Sequence, residues 1–266
     1  MNARAQIERL VAAAAHYWAG EAEVVRTYWT APLRRAATDL RWLERQCFKE
    51  FWGTGAQKYD RGGAFVGVMK YLLERQQEID RGLPRSEVLD VLEGLKAEFS
   101  HYCAFADIYD AIRPAETPPI TPEALSSWPA EDALAALRHG HQDKHGTVGL
   151  RACNFTEGGY CALFAEGKKL GGKGGIDDMI AKACTFVFED EFEHMLRGIV
   201  DIGNEGFSDA DWELMSALVA DQLRHRIRMR NEQFSFPISE ARIAAIFRGE
   251  IEPARFDYAR AGLAAA

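Results

Sequence analysis

At 266 residues, with a formal net charge of -8 and a pI near 5.5, the chain has no overall electrostatic pull towards nucleic acid or an anionic membrane. Its 47% hydrophobic and 27% charged residues suit a globular core, and no apolar run reaches the roughly 18 residues that a membrane span needs. The five cysteines (Cys47, Cys103, Cys153, Cys161, Cys184) are odd in number and lack a C-x-x-C pair, which reads as reduced thiols of a cytoplasmic protein.

Helical periodicity runs through the whole chain, and a single all-α domain is expected over residues 1–266. The opening segment MNARAQIERLVAAAAHYWAG is amphipathic and carries Glu8, which suits a first helix at about 3–29 better than a signal peptide. Further helices are expected at about 32–54, 63–81, 86–113, 122–138, 147–168, 175–202, 208–233 and 238–248. Their breaks have chemical causes. Ser86 is placed to cap the fourth helix, Pro122 can open the fifth at its first position, and the glycines of GKKLGGKGGIDD make a turn before the seventh.

Successive residues on a helix turn by about 100°, so each carboxylate can be assigned a face. Taken in chain order, Glu44 falls within the stripe Leu33, Ala37, Leu40, Cys47 and Phe51, while Glu50 lies nearer its edge. Glu74 points away from Phe65, Met69, Leu72 and Ile79. Glu98 is central to Val91, Leu95, Tyr102, Phe105 and Tyr109, with His101 at the edge of that face. Glu157 sits among Leu150, Cys153, Asn154, Tyr160, Cys161 and Phe164. In FVFEDEFEHM, Glu191 lies inside the stripe of Ile180, Cys184, Val187, Phe188, Met195 and Ile202, with His194 one turn on. Glu189 and Glu193 face the other way, and Asp190 sits on a flank.

Two Glu-x-x-His pairs, each with its glutamate central to an apolar stripe, are a more specific signal than one. Four inward carboxylates would each cost several kcal/mol without partners, and the stripes offer no matching inward lysines or arginines. Cations are the expected remedy, and oxygen-rich sites with one imidazole per metal suit iron or manganese. Other signals are weaker. His139, His141 and His145 in RHGHQDKHG are read as a solvated loop. Of Arg224, Arg226, Arg228 and Arg230, only Arg224 and Arg228 share a side.

One Glu from each of two helices plus Glu-x-x-His from each of two others resembles the ferritin-like di-iron carboxylate superfamily. Carried over by position, Glu44 (or Glu50 in its place) and Glu157 match the single carboxylates, and Glu98 with His101 and Glu191 with His194 match the pairs. The match covers about residues 32–202. It departs from the family in the 54 residues between Glu44 and Glu98, which include an additional helix. Haem-oxygenase-like di-iron oxidases rank second, because they draw a further histidine from the last ligand helix and none lies near position 187 here.

The resemblance implies a ferritin-like four-helix bundle with flanking helices. It also implies two iron ions (or an iron–manganese pair), dioxygen as co-substrate, and an oxygenase or oxidase acting on a small organic substrate with an external electron donor. Tyr102 and Tyr160 would serve beside the metals, a homodimer is allowed, and neither nucleic acid nor membrane is expected as a partner. A ferroxidase and a metal-free helical scaffold are the alternatives.

Overall fold

The computed structural model describes residues 2–53, 64–156 and 158–255, with the backbone alone at residues 64 and 158–160. Among these, every regular element is helical: α1 (Ala3–Trp29), α2 (Ala36–Trp52), α3 (Ala64–Arg75), α4 (Arg85–Ile112), α5 (Pro129–Phe155), α6 (Gly158–Lys168), α7 (Gly175–Asn204), α8 (Asp209–Gln233) and α9 (Glu240–Phe247). None is long and apolar enough to cross a membrane.

Local chemistry fixes the ends. The Asn2 side chain accepts the Ala5 N–H at 2.9 Å, and Ser208 with Asp211 forms a reciprocal capping box on α8. Between α6 and α7, Gly172, Gly174 and Gly175 take φ of 83°, 86° and 54°, a region closed to most side chains. Asp178 accepts the Gly172 N–H at 2.7 Å.

Several expected boundaries move. Helix α3 ends at Arg75, short of the expected 81, and Ser86 falls inside α4, which starts at Arg85 without a side-chain cap. Helix α2 starts at Ala36, leaving Leu33 exposed outside it. Residues 122–124 form only a 3-10 turn, and α5 starts at Pro129. The expected helix 147–168 is divided, its first part joined to α5 and the rest forming α6. Helix α5 reverses at Gly146 (φ 51°, ψ -126°), so that Gly149 packs on the His141 carbonyl and Cys153 lies over the Arg138 carbonyl. His139, His141 and His145 are therefore helical, not a loop.

Two packing series make up the fold. Helix α2 packs on α4, α4 on α7, and α7 on α6. Helix α1 lies against α6 and α8, and α8 carries α5. Aromatic rings fill the seam between the series, Trp42 meeting Trp29, Phe105 and Phe234 at centroid distances of 6.2, 6.1 and 5.6 Å. Burial of such rings is the main source of stability in a bundle of this kind.

Candidate metal centre

The carboxylates converge where α2, α4 and α7 meet. On α2 the buried polar positions are Asp39, Gln46, Lys49 and Glu50, interleaved with Trp42, Leu43 and Cys47. This stripe carries Glu50 inward at 5% exposure. Glu44, expected as the first ligand, is only half-buried and belongs to neither cluster described below. Burial pushes its carboxyl up, opposed by Arg45 and Arg41. The substitute position, Glu50, is the one that reaches the other helices.

Two groups of three potential ligands form among the described residues. Glu50, Glu98 and His101 make one, and Glu98, Glu191 and His194 the other; in each, one ligand atom from every residue lies within 4.8 Å of the rest. Glu98 is common to both. His101 is fully buried, Glu191 is 8% exposed, and Glu98 and His194 are partly buried. Glu157 lies outside the described residues, as does the side chain of Tyr160.

His101 is the centre of the geometry. Its Nδ1 lies 3.8 Å from Glu50 Oε2, 4.0 Å from Glu98 Oε2 and 3.8 Å from Glu191 Oε1. Its Nε2 lies 3.1 Å from Asp190 Oδ2, within reach but out of line for a hydrogen bond. Among the described residues neither ring nitrogen makes a hydrogen bond, an expensive condition for a fully buried imidazole. Donor atoms about 2.1 Å from a shared ion lie roughly 3–4 Å from one another. The spacing around Nδ1 therefore fits a cation, while Asp190 stands where a carboxylate orients a ligating imidazole through its other nitrogen. Hard oxygens with one imidazole per group fit iron or manganese better than zinc. The residues fit the expected metals.

Other groups complete the surroundings. Phe186 meets the His101 ring edge-on at 5.8 Å. Burial pushes Glu50 up, opposed by His101, Gln46, Lys49 and Arg230. The Tyr102 hydroxyl is pushed up to about 12 by burial, then by Cys47, Cys103 and Asp110. Its ring packs on Phe51 and Phe99, and among the described residues the hydroxyl makes no hydrogen bond to the cluster. Glu189 is exposed and pairs with Lys168 at 3.3 Å, as its outward face requires.

The expectation that no inward cations exist is corrected. Lys49, Arg138, Arg226 and Arg230 are all at most 5% exposed. Lys49 pairs with Glu131 at 2.9 Å, and Arg226 and Arg230 both pair with Glu21, at 3.0 and 2.9 Å. These two arginines therefore share a side as well, against the expectation that only Arg224 and Arg228 do. Burial would push Glu21 up, but the two guanidinium groups outweigh it and hold the carboxyl below its usual range. Glu21 and Glu131 escaped the sequence reading, and Asp190, placed there on a flank, was not read as a neighbour of His101. Asp190 has a usable signal, since it lies one turn before His194 and beside Glu191.

His141 and His225 flank Asp221, at 3.6 and 3.7 Å. They do not close into a three-ligand group with it. Comparison with protein-family models, curated proteins and solved structures gave no match for the chain.

Proposed function

We propose that the chain is a non-haem di-iron oxygenase or oxidase of ferritin-like architecture, using dioxygen to oxidise a small organic substrate by hydroxylation, N-oxygenation or oxidative C–C cleavage. The observation that carries this reading is Glu98, shared between two Glu/Glu/His groups, because one carboxylate common to two sites is what a bridged ion pair requires.

Each residue has a part. Glu50, Glu98 and Glu191 supply negative charge where little water can screen it. His101 offers Nδ1 towards the three glutamates, with the Asp190 carboxylate 3.1 Å from Nε2 on the other side of the ring. His194 completes the second group, and Glu157, outside the described residues, stays the sequence candidate for the other single carboxylate. Phe186 shields one side of the His101 ring from solvent. When bound, two ferrous ions supply the electrons that activate dioxygen, and an external donor restores them.

A groove of about 570 Å³ between α4 and α7, lined in part by Lys96, Ala97, Phe186 and Asp190, opens beside the cluster. It is largely open to solvent and lined mainly by charged and polar side chains, Glu93, Lys96, Ser100, Glu189 and Asp190 among them.

The test is anaerobic loading with Fe(II), followed by metal analysis and an absorbance trace as air is admitted. Two irons per chain and a visible band that forms and decays support the reading. Sustained oxidation of excess Fe(II) would move it to a ferroxidase, and absence of bound metal to a metal-free scaffold.

A further inference from the structure

Glu50 is gripped from behind. Gln46, one turn earlier on α2, donates its Nε2–H to Glu50 Oε1 at 2.5 Å, while Glu50 Oε2 is the oxygen turned towards His101. The other end of the Gln46 amide accepts from Arg230 Nη1 at 3.3 Å and from Gln233 Nε2 at 2.9 Å. A guanidinium has donors and no acceptor, so the atom meeting Arg230 must be the amide oxygen, and the amino group must face Glu50. The amide cannot turn round without losing contacts at both ends. Arg230 is itself fixed, its Nε donating to Glu21 Oε1 at 3.0 Å, and Gln46, Arg230 and Gln233 are all fully buried.

Resting on the di-iron reading above, we propose that Gln46 is a positioning residue of the centre: it occupies one oxygen of Glu50 and so holds that carboxylate as a one-oxygen ligand. The Gln233 and Arg230 contacts from α8 make this orientation a property of the fold and not of α2 alone. With one oxygen occupied by Gln46, Glu50 would offer a bound ion only its other oxygen, Oε2. Without the amide donor, Glu50 is free to swing and present both oxygens.

Anaerobic titration with Co(II) tests this independently of turnover, since ligand-field absorption in the visible weakens as cobalt gains ligands. For the native chain two equivalents are expected. For Gln46→Met, one equivalent should bind about 10-fold or more weakly, as losses of groups that orient ligands generally do, and its visible absorption should fall. Gln46→Asn keeps an amide for α8 but draws the donor back by roughly 1.5 Å, one carbon–carbon bond, and should show the same change if the methionine variant does not fold.

Native-like affinity and spectrum in either folded variant would overturn the assignment of Gln46 while leaving the di-iron reading intact. Failure of the native chain to bind two ions would remove the reading beneath it.

Discussion

Two buried polar clusters lie on either side of Gln46, and they are built on opposite principles. On one side, Glu21 has a guanidinium on each flank, Arg226 and Arg230, all three nearly or fully buried. On the other, Glu50, Glu98 and Glu191 crowd one imidazole that has no hydrogen bond among the described residues. The first cluster carries its counter-charges within the chain and is complete as folded. The second gathers three carboxylates around one imidazole, the arrangement that the proposed metal ions would complete. Burial alone does not distinguish a structural charge from a functional one; the identity of its partners does.

The contrast breaks first at Glu21. Glu21→Gln should destabilise the fold by about 3–5 kcal/mol, read by chemical denaturation, because it removes the counter-charge of two buried guanidinium groups. The pH dependence has a definite sign. Glu21 is held below the usual carboxylate range, so its contribution is complete above the pH at which the unfolded carboxyl ionises. That contribution disappears as pH falls through the lower folded-state value. Acid titration of stability should therefore be less steep in Glu21→Gln.

Metal should act on the second cluster alone. Loading with Fe(II) or Mn(II) at 100 times the dissociation constant should stabilise the chain by about 2.7 kcal/mol for each ion bound, and a chelator should reverse it. Glu98→Gln should remove that increment almost wholly, since both groups use Glu98, whereas His194→Ala should cost one ion. In metal-free protein Glu98→Gln should be neutral or stabilising by about 0.5–2 kcal/mol, as relief of a strained functional site commonly is. A loss comparable with that of Glu21→Gln would mean that the two clusters are alike and structural. The smallest effect belongs to Glu189→Ala, expected to change stability by under about 1 kcal/mol and metal content not at all, because its pair with Lys168 is exposed.

Much of the second cluster was legible from helical phase. On α7 the stripe through Ile180, Cys184, Val187, Met195 and Ile202 is buried, and Glu191 lies within it. On α4 the phase brought Glu98 and His101 to the same side. On α2 the phase was misread, because the stripe was anchored on Leu33 and Ala37. Leu33 precedes the helix and is 71% exposed, and Ala37 is exposed as well. The true stripe runs through Asp39, Leu43, Gln46 and Glu50, three of them polar or charged, so a rule that equates apolar with inward cannot find it. The same rule concealed Arg226 and Arg230, whose partner Glu21 lies about 200 residues away in sequence and becomes a neighbour only through the packing of α1 on α8. The reversal inside α5 was hidden for another reason: Gly146 turns the chain without interrupting the run of helical residues.

Helix α4 has one more consequence. None of its residues before His101 is buried, whereas His101, Tyr102, Phe105, Ala106 and Ile108 are. Glu98 thus stands at the frontier between a half that rests on little and a half anchored in the interior. Backbone amides ahead of that frontier should exchange with deuterium through local fraying, and those behind it only through larger openings. An ion held by Glu98 would tie the frontier down, so a slowing of exchange that begins near Lys96 and fades towards Arg85 would record occupancy in the backbone, with no spectroscopy of the metal at all.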